Sequence, residues 1–281
     1  RAQLADDRAT THRGMSPIRL KNPLNDEQDY LRPGILPGLL ATAERNQRFG
    51  NADLRLFEMG RVFVATPKGD QIEHEHLGIL MTGSREAESW ASQSETIDLH
   101  DLRAVLGSIL PAGLVLNPLD DERLLCACSI EIGRGKKAVK LGVAGILPPS
   151  RGRELDFSTA LVVAELNLKK LASASEARVR FEELPRFPGS SRDIAMLVPS
   201  ALEAETIAAF FDSYEEPLLR SADLFDVFQD PTGEKLPQDR KSLAYSVTYR
   251  AEDRTLEANE VETAHAKLLD SLKSGLNVEF R

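Results

Sequence analysis

The change in composition between Ala172 and Pro188 is the feature that most constrains how this chain can fold. A run of alternating alanine and serine gives way there to a Leu-Pro-Arg-Phe-Pro segment. Small polar residues and closely spaced prolines interrupt both helices and strands. Because 281 residues also exceed the length of one ordinary small domain, we predict a linker at this point and two domains, residues 1–178 and 179–281.

Before the linker, the apolar pattern predicts a mostly antiparallel sheet with helices packed on it. Apolar residues recur at helical spacing in 35–46 and from Asp98 to Leu110. Strands are predicted, from β-branched and apolar residues between turn signals, at 54–66, 77–82, 124–132, 138–146 and 160–166. This order of elements is typical of an α+β fold.

After the linker, the order of elements predicts a ferredoxin-like domain. A strand, a helix, two strands, a helix and a short strand are predicted at 192–198, 203–214, 221–229, 241–250, 257–273 and 277–280. This is the βαββαβ arrangement. Period-two alternation points Phe225 and Val227 toward the helices and leaves Phe228 and Ser242 on the open face of the sheet. Thr255 is predicted to cap the last helix.

The charge of the chain argues against a protein that binds nucleic acid by itself. The formal net charge is −9 and the sequence pI is about 5.2, whereas cations that neutralise phosphates supply most sequence-independent affinity. No apolar run reaches the roughly eighteen residues of a membrane span, and the polar start lacks the apolar core of a signal peptide. We therefore expect a soluble, cytoplasmic protein that does not contact membranes.

Four side chains suggest a metal site, but we predict none. Cys126 and Cys128 alternate in a predicted strand, so they should share one face as buried free thiols. His74 and His76 also alternate, but the sequence offers no third ligand beside them. We interpret the two histidines as part of a solvated turn that enters the strand at 77–82.

Two aromatic side chains outside the apolar pattern are given structural roles. Trp90 is interpreted as a packing residue at the edge of the first domain. His265 lies beside the apolar stripe of the last predicted helix, and we expect it to be partly buried there.

Short motifs in the first domain resemble one known family. They are Asn-Pro-Leu-Asn at 22–25, Leu-Arg-Pro-Gly-Ile-Leu-Pro-Gly-Leu-Leu at 31–40 and Phe-Glu-Met-Gly-Arg-Val-Phe at 57–63. In this order they resemble the class II synthetase-like module of phenylalanyl-tRNA synthetase β chains.

Motifs in the second domain resemble the end of the same β chains. Arg-Asp-Ile-Ala at 192–195, Leu-Phe-Asp-Val-Phe at 224–228 and Lys-Ser-Leu-Ala at 241–244 are similar to the ferredoxin-fold anticodon-binding domain. Gln229-Asp230 and Asp239-Arg240 depart from the family pattern, which puts individual RNA contacts in doubt.

The resemblance implies a non-catalytic part of a phenylalanine–tRNA ligase. Its expected partners are a catalytic α chain, in a heterotetramer of two α and two β chains, and tRNA specific for phenylalanine. ATP and magnesium would be used by the holoenzyme, with no cofactor in this segment. Because β chains of the family are far longer, we expect this chain to be a piece whose first fifteen or so residues come from the middle of an element or from a disordered lead-in.

The residues that would bind ATP in an active module are absent. Bidentate arginines suit phosphates better than any other side chain, and an active class II module carries one in a Phe-Arg-x-Glu strand. Here the corresponding strand reads Phe57-Glu58-Met59-Gly60, with a carboxylate in place of the cation, and the late strand at 142–147 has no arginine. We therefore predict no catalytic residues in this chain.

The second domain offers candidate RNA contacts. Single-stranded RNA on a sheet needs small polar residues and an aromatic ring for stacking, which Ser242 and Phe228 supply. Basic residues near the ends of the middle strand are candidate phosphate contacts. These are Lys235, Arg240, Lys241, Arg250 and Arg254.

Two other functions remain open. A stand-alone binding or regulatory protein built from a synthetase core would need a ligand pocket and no α chain. An active ATP-dependent ligase would need the missing arginines.

Overall fold

A computed structural model describes residues 15–23, 29–87, 89–91, 95–110, 113–133, 138–174, 183–276 and 278–280. The chain forms two compact units, Arg1–Val179 and Arg180–Arg281. The predicted boundary after residue 178 and the predicted lead-in over residues 1–14 lie outside the described residues. No helix among the described residues is both long and apolar enough to span a membrane.

The first unit is a seven-stranded antiparallel sheet with helices packed on it. Its strands pair in the order β1-β2-β3-β7-β6-β5-β4. The strands are β1 (Ser16–Pro17), β2 (Leu54–Ala65), β3 (Gln71–Thr82), β4 (Leu114–Pro118), β5 (Leu125–Ile132), β6 (Val139–Ile146) and β7 (Val162–Asn167). The helices are α1 (Leu36–Arg48), α2 (Leu99–Ile109), α3 (Pro149–Glu154) and α4 (Leu168–Ala174).

Local sequence accounts for the two long helices of this unit. Pro37 stands in the first turn of α1, where a missing N–H costs nothing. Asp98 caps α2, and its carboxylate accepts hydrogen bonds from two backbone N–H groups. In return, the Asp101 carboxylate accepts a hydrogen bond from the Asp98 N–H. Both helices bury one apolar stripe against the sheet.

The second unit is a four-stranded antiparallel sheet with two helices on one face. Its elements are β8 (Ser190–Pro199), α5 (Ala204–Ser213), β9 (Leu219–Phe228), β10 (Arg240–Tyr249), α6 (Ala258–Leu276) and β11 (Glu279–Phe280). The strand order β11-β8-β10-β9 is the ferredoxin-like arrangement. Leu243, Tyr245, Val247 and Tyr249 of β10 are buried under the helices. The predicted α+β class is therefore confirmed for both units.

Several predicted element bounds were wrong. Strand β3 begins at Gln71 instead of at residue 77, and residues 71–76 pair with residues 60–65 of β2. Strands β1 and β4 and helices α3 and α4 were not predicted. Helix α6 begins at Ala258, so Glu257 and not Thr255 stands at its cap, with the Glu257 N–H donating to Oε2 of Glu260 at 3.0 Å.

The prediction of buried cysteines was wrong. Both thiols are free, but Cys126 is exposed and Cys128 is only half buried. Cys126 adopts a left-handed backbone conformation with φ of 47°, and the pairing of β5 with β6 shifts between Leu125 and Cys128. This bulge breaks the alternation on which the prediction rested, and Ala127 is buried instead.

The packing role predicted for Trp90 was also wrong. Trp90 is fully exposed, so no described part of this chain covers its ring.

Candidate functional site

The open face of the second sheet brings Phe228 and Ser242 together, as the alternation predicted. Ser242 of β10 lies opposite Phe228 of β9 on one side and Leu197 of β8 on the other. Phe228 is 39% exposed. The next row along the same face holds Ala195, Ala244 and Asp226. The face therefore offers a ring beside small side chains, which leaves room for a flat ligand.

Carboxylates outnumber cations on this face. Asp193 and Asp223 lie on either side of Ser246. The guanidinium of Arg240 donates to the Glu279 carboxylate at 3.3 Å, so its charge is partly offset. The face cannot attract RNA over a long range, because the unit that carries it is itself acidic.

The basic candidates do not form one cluster. Arg240 and Lys241 begin β10, whereas Arg250 follows its other end, about 30 Å away at roughly 3.4 Å per residue. Lys241 lies opposite the buried Val198 and is thus on the helix side of the sheet. Arg254 forms ion pairs with Asp253 and Glu260.

The loop from 229 to 239 carries Lys235 and is organised around Asp230. This carboxylate accepts hydrogen bonds from the Thr232 backbone and hydroxyl and from the backbone N–H groups of Lys235 and Leu236. The hydrogen bond from the Thr232 hydroxyl and the backbone bond from Lys235 hold the pKa of Asp230 far below its ordinary value.

Two apolar side chains of β9 that were predicted to face the helices are largely exposed. Phe225 is 59% exposed and Val227 is 55% exposed. Val227 does pair with the buried Leu243, but β9 is an edge strand and only partly covered. The pairing shifts between Ala244 and Tyr245 and skips Phe225, which is the geometry of a β-bulge.

His265 is half buried in α6, as predicted. Its Nδ1 lies 3.1 Å from the Tyr249 hydroxyl, which is hydrogen-bonding distance. Burial, and secondarily the nearby cation of Arg192, lowers the pKa of His265, because both disfavour the charged imidazolium.

In the first unit, Glu58 is held by an internal cation. Nη1 of Arg32 donates to the Glu58 carboxylate at 2.5 Å, and Nε donates to the Arg61 carbonyl at 2.6 Å. A Cβ atom at Gly60 would lie 2.0 Å from Arg32 Nη2, so the guanidinium lies directly against β2 at this residue. Glycine at this position makes room for the arginine.

The interior of the first unit holds a buried polar network that the sequence pattern did not predict. Nδ1 of His76 is 2.7 Å from Glu165 Oε1, and the two side chains are 2% and 0% exposed. The other carboxylate oxygen accepts the Leu36 N–H at 3.3 Å. His76 therefore supports the start of α1, and the solvated turn predicted for it was wrong. The described residues contain no group of three or more side chains that could hold a metal.

The opposite face of β2 and β3 carries an apolar groove of about 390 Å³. Leu77, Ile79 and Met81 form its floor. Its rim includes Phe57, Met59 and Ile109, which are 71%, 63% and 47% exposed. Side chains of this size and exposure, grouped on one face, mark a surface suited to a partner.

Comparison with known proteins places both units in one family. Residues 2–168 match the family model of the phenylalanyl tRNA synthetase beta chain CLM domain. Residues 185–281 match that of the ferredoxin-fold anticodon binding domain. The chain belongs to the phenylalanyl-tRNA synthetase β-chain family.

Curated relatives agree with this family membership. Similar proteins include the phenylalanine–tRNA ligase beta subunit of Geobacter sulfurreducens, 34% identical over 95% of this chain and 33% of the relative. Those of Syntrophotalea carbinolica and Listeria innocua are each 31% identical, over 100% and 94% of this chain and 35% and 33% of the relatives. The chain thus spans about a third of the length of these phenylalanyl-tRNA synthetase β chains.

Proposed function

We propose that this chain is a non-catalytic part of a phenylalanine–tRNA ligase. Its first unit serves as a scaffold for the catalytic α chain. Its second unit contacts the anticodon region of tRNA specific for phenylalanine. ATP and magnesium act in the α chain of the heterotetramer, and this segment holds no cofactor of its own.

One observation carries the RNA part of the proposal. Phe228 stands exposed on the open face beside Ser242, within the residues that match an anticodon-binding family. Every base has a π face, so a single accessible ring can hold one base, worth about 1–3 kcal/mol. Small neighbours allow the base to reach the sheet.

The acidity of the second unit sets the conditions for such a contact. From Pro185 to the last residue there are eleven Lys and Arg against eighteen Asp and Glu. Long-range attraction to RNA is therefore absent or repulsive, and affinity has to come from short-range contacts. Such contacts are effective once the rest of the tRNA is held by the assembled enzyme, because the local step is then intramolecular.

The internal pairing of Glu58 supports the non-catalytic role of the first unit. Arg32 is engaged by Glu58 and by the Arg61 carbonyl, so this cation is not free to bind a triphosphate. A fold can persist without its original chemistry when another use preserves it.

The apolar groove at Phe57, Met59 and Ile109 supports association with the α chain. Obligate interfaces bury apolar surface and are depleted in charge at their centre. Large side chains that stay exposed in this chain alone fit such an interface better than they fit a surface that always faces water.

The RNA contact is tested by titrating labelled tRNA into reconstituted enzyme that carries Phe228→Ala in its full β chain. We expect affinity to fall by about 1–3 kcal/mol, the value of one stacked base. Phe225→Ala is a matched control, because Phe225 is also an exposed phenylalanine of β9 and is skipped by the pairing with β10. Equal affinity for the wild type and both variants would exclude this face as the RNA surface.

Capture by the α chain separates the proposal from a stand-alone regulatory protein. The chain should co-purify with a phenylalanyl-tRNA synthetase α chain, and Phe57→Asp combined with Met59→Asp should weaken that capture. The matched control is Arg103→Asp on the exposed side of α2. Capture that is absent for the unaltered chain would favour the stand-alone protein.

A further inference from the structure

The side chain of Asp230 is buried where its neighbours are not. Asp230 is 6% exposed, whereas the residues on either side are exposed. Oδ1 accepts the Thr232 N–H at 2.9 Å and the Thr232 hydroxyl at 2.6 Å. Oδ2 accepts the Lys235 N–H at 2.6 Å and the Leu236 N–H at 3.3 Å. One carboxylate thus receives four hydrogen bonds from a single loop.

These bonds fold the loop from 229 to 239 back on itself. Leu236 is brought to 1% exposure, and Gly233 takes a left-handed conformation with φ of 76°. The Gln238 amide donates to the Pro231 carbonyl at 2.8 Å. The Ser200 N–H donates to the Asp239 carbonyl at 2.8 Å, which ties the loop to the end of β8. The backbone of the loop therefore has a single defined path.

The two ends of this loop are the proposed RNA contacts. Phe228 comes two residues before Asp230, and the loop returns at Arg240 and Ser242, the latter opposite Phe228. Lys235 is carried by the loop itself, and its backbone N–H is one of the four donors. The position of the Lys235 ammonium relative to the Phe228 ring thus depends on the Asp230 carboxylate.

We propose that Asp230 is a positioning residue for RNA: it fixes the loop that sets Lys235 and Arg240 against the face that holds Phe228. The inference rests on the proposed function, since it names how that same site is organised. The hydrogen bonds to Asp230 strongly lower its pKa. This agrees with a carboxylate that stays charged and hydrogen-bonded throughout the physiological pH range.

The substitution Asp230→Asn should raise tRNA affinity if Asp230 acts only through its charge, and lower it if Asp230 positions the loop. Asp230→Asn removes a negative charge from the neighbourhood of RNA, which by attraction alone would tighten binding. It also replaces one acceptor oxygen with an amide that donates, so two of the four bonds are lost. If Asp230 acts by position, the tRNA affinity falls instead.

The experiment uses reconstituted enzyme with Asp230→Asn in its full β chain. We expect tRNA to bind about fivefold to tenfold more weakly, the effect of about one ordinary hydrogen bond lost from the complex. Phenylalanine-dependent exchange of pyrophosphate into ATP should be unchanged, because adenylate formation needs no tRNA contact at this face. Asp239→Asn removes the same charge from the same loop at an exposed side chain, and it should leave tRNA affinity equal or slightly tighter.

A double-mutant cycle decides how Asp230 acts. If the carboxylate works through Lys235, Asp230→Asn should add little to Lys235→Ala, because the contact that it positions is already gone. Full additivity would overturn the inference, and so would unchanged or tighter binding by Asp230→Asn while Phe228→Ala weakens binding. If neither Phe228→Ala nor Lys235→Ala affects tRNA, the proposed RNA surface itself is wrong.

A milder variant keeps the test open if Asp230→Asn unfolds the domain. Thr232→Ala removes only the hydroxyl bond at 2.6 Å and leaves the carboxylate in place. It should weaken tRNA binding in the same direction and by less, about twofold to threefold, the effect of part of one hydrogen bond. Weaker tRNA binding together with faster hydrogen exchange at the Lys235 and Leu236 N–H groups, which both donate to Asp230, would support the inference. Wild-type affinity in the folded Thr232→Ala enzyme would overturn it.

Discussion

Oε1 of Glu165 and Nδ1 of His76 lie 2.7 Å apart in the interior of the first unit. The two residues are 89 positions apart in the sequence and are adjacent only because β3 pairs with β7. The same carboxylate holds the Leu36 N–H at the start of α1. A single carboxylate thus joins two strands and a helix.

The first prediction follows from this pair. His76→Ala would leave the Glu165 side chain buried with only part of its hydrogen bonding, which we expect to lower the free energy of unfolding by about 1–3 kcal/mol. Chemical denaturation of the chain measures this. His74→Ala is the matched control, because His74 belongs to the same strand and is only half buried. A loss below 1 kcal/mol for His76→Ala, equal to that of the control, would show that the pair contributes little.

The second prediction compares two glycines. A Cβ atom at Gly142 would lie 2.0 Å from the Glu165 carbonyl oxygen, a backbone atom that cannot move aside. We expect Gly142→Ala to destabilise the first unit by more than about 3 kcal/mol, because overpacking forces the backbone to shift. Gly107→Ala is its control, since Gly107 lies within α2 with no atom within 4 Å of the new methyl group.

Gly107→Ala should stabilise the chain by about 0.5–1 kcal/mol, the usual gain from alanine in a helix interior. Thermal unfolding of the two variants measures both the expected loss of stability in Gly142→Ala and the expected gain in Gly107→Ala. Equal stability of Gly142→Ala and the unaltered chain would mean that β6 and β7 are not as close as described.

Much of the fold could be predicted because its signals are local. The apolar stripe of α6 at Val261, Ala264, Leu268 and Leu272 follows from residue spacing within the helix, and all four residues are buried. The bulge at Cys126 leaves no such signal, since it depends on how β5 pairs with β6. The first half of β3 is polar, so its sequence predicts a turn. It forms a strand because it pairs with β2.

The candidate site was predictable only in part, for the same reason. Alternation placed Phe228 and Ser242 on one face because that rule is local. It could not show that Asp230 closes the following loop or that Arg254 is paired with Glu260, since these contacts form only after the chain has folded. It also grouped basic residues that the two ends of β10 hold far apart.

The third prediction concerns pH. The pKa of His265 is lowered in the folded chain, so the unfolded chain binds protons first as the pH falls. The stability that neutral His265 supplies is present above its unfolded pKa of about 6.5 and is lost as the pH falls toward the folded pKa. Between pH 7 and 5, the unaltered chain should lose more stability than His265→Gln, which does not titrate. Parallel losses for the two chains, measured by denaturation at each pH, would contradict the prediction.

The fourth prediction concerns catalysis. Because Glu58 stands where an active class II module carries an arginine, and because Arg32 holds its carboxylate, the highly purified chain should not form phenylalanyl-adenylate. Phenylalanine-dependent exchange of pyrophosphate into ATP should stay at background. The same assay with the α chain present is the positive control. Robust turnover by the chain alone would remove the non-catalytic interpretation of the first unit.

The last prediction separates phosphate contacts from base stacking. Lys241→Ala, at the start of β10, and Arg254→Ala, in the segment after its other end, should each weaken tRNA binding by the reconstituted enzyme by about 1 kcal/mol. Each should also lower the slope of affinity against salt by about one, because a lost phosphate contact releases fewer counterions. The Arg254 effect should be the smaller, since its guanidinium must first leave Glu260.

Phe228→Ala should behave differently, with an affinity loss of about 1–3 kcal/mol and little change in salt slope, because stacking releases no counterion. Lys267→Ala, an exposed lysine of α6 on the other side of the domain, should change neither quantity. Titrations of labelled tRNA at several salt concentrations give both readings for every variant. If Phe228→Ala, Lys241→Ala and Arg254→Ala all leave affinity and slope at wild-type values, the RNA lies on another surface. If Lys267→Ala alone lowers the slope, that surface is the outer side of α6.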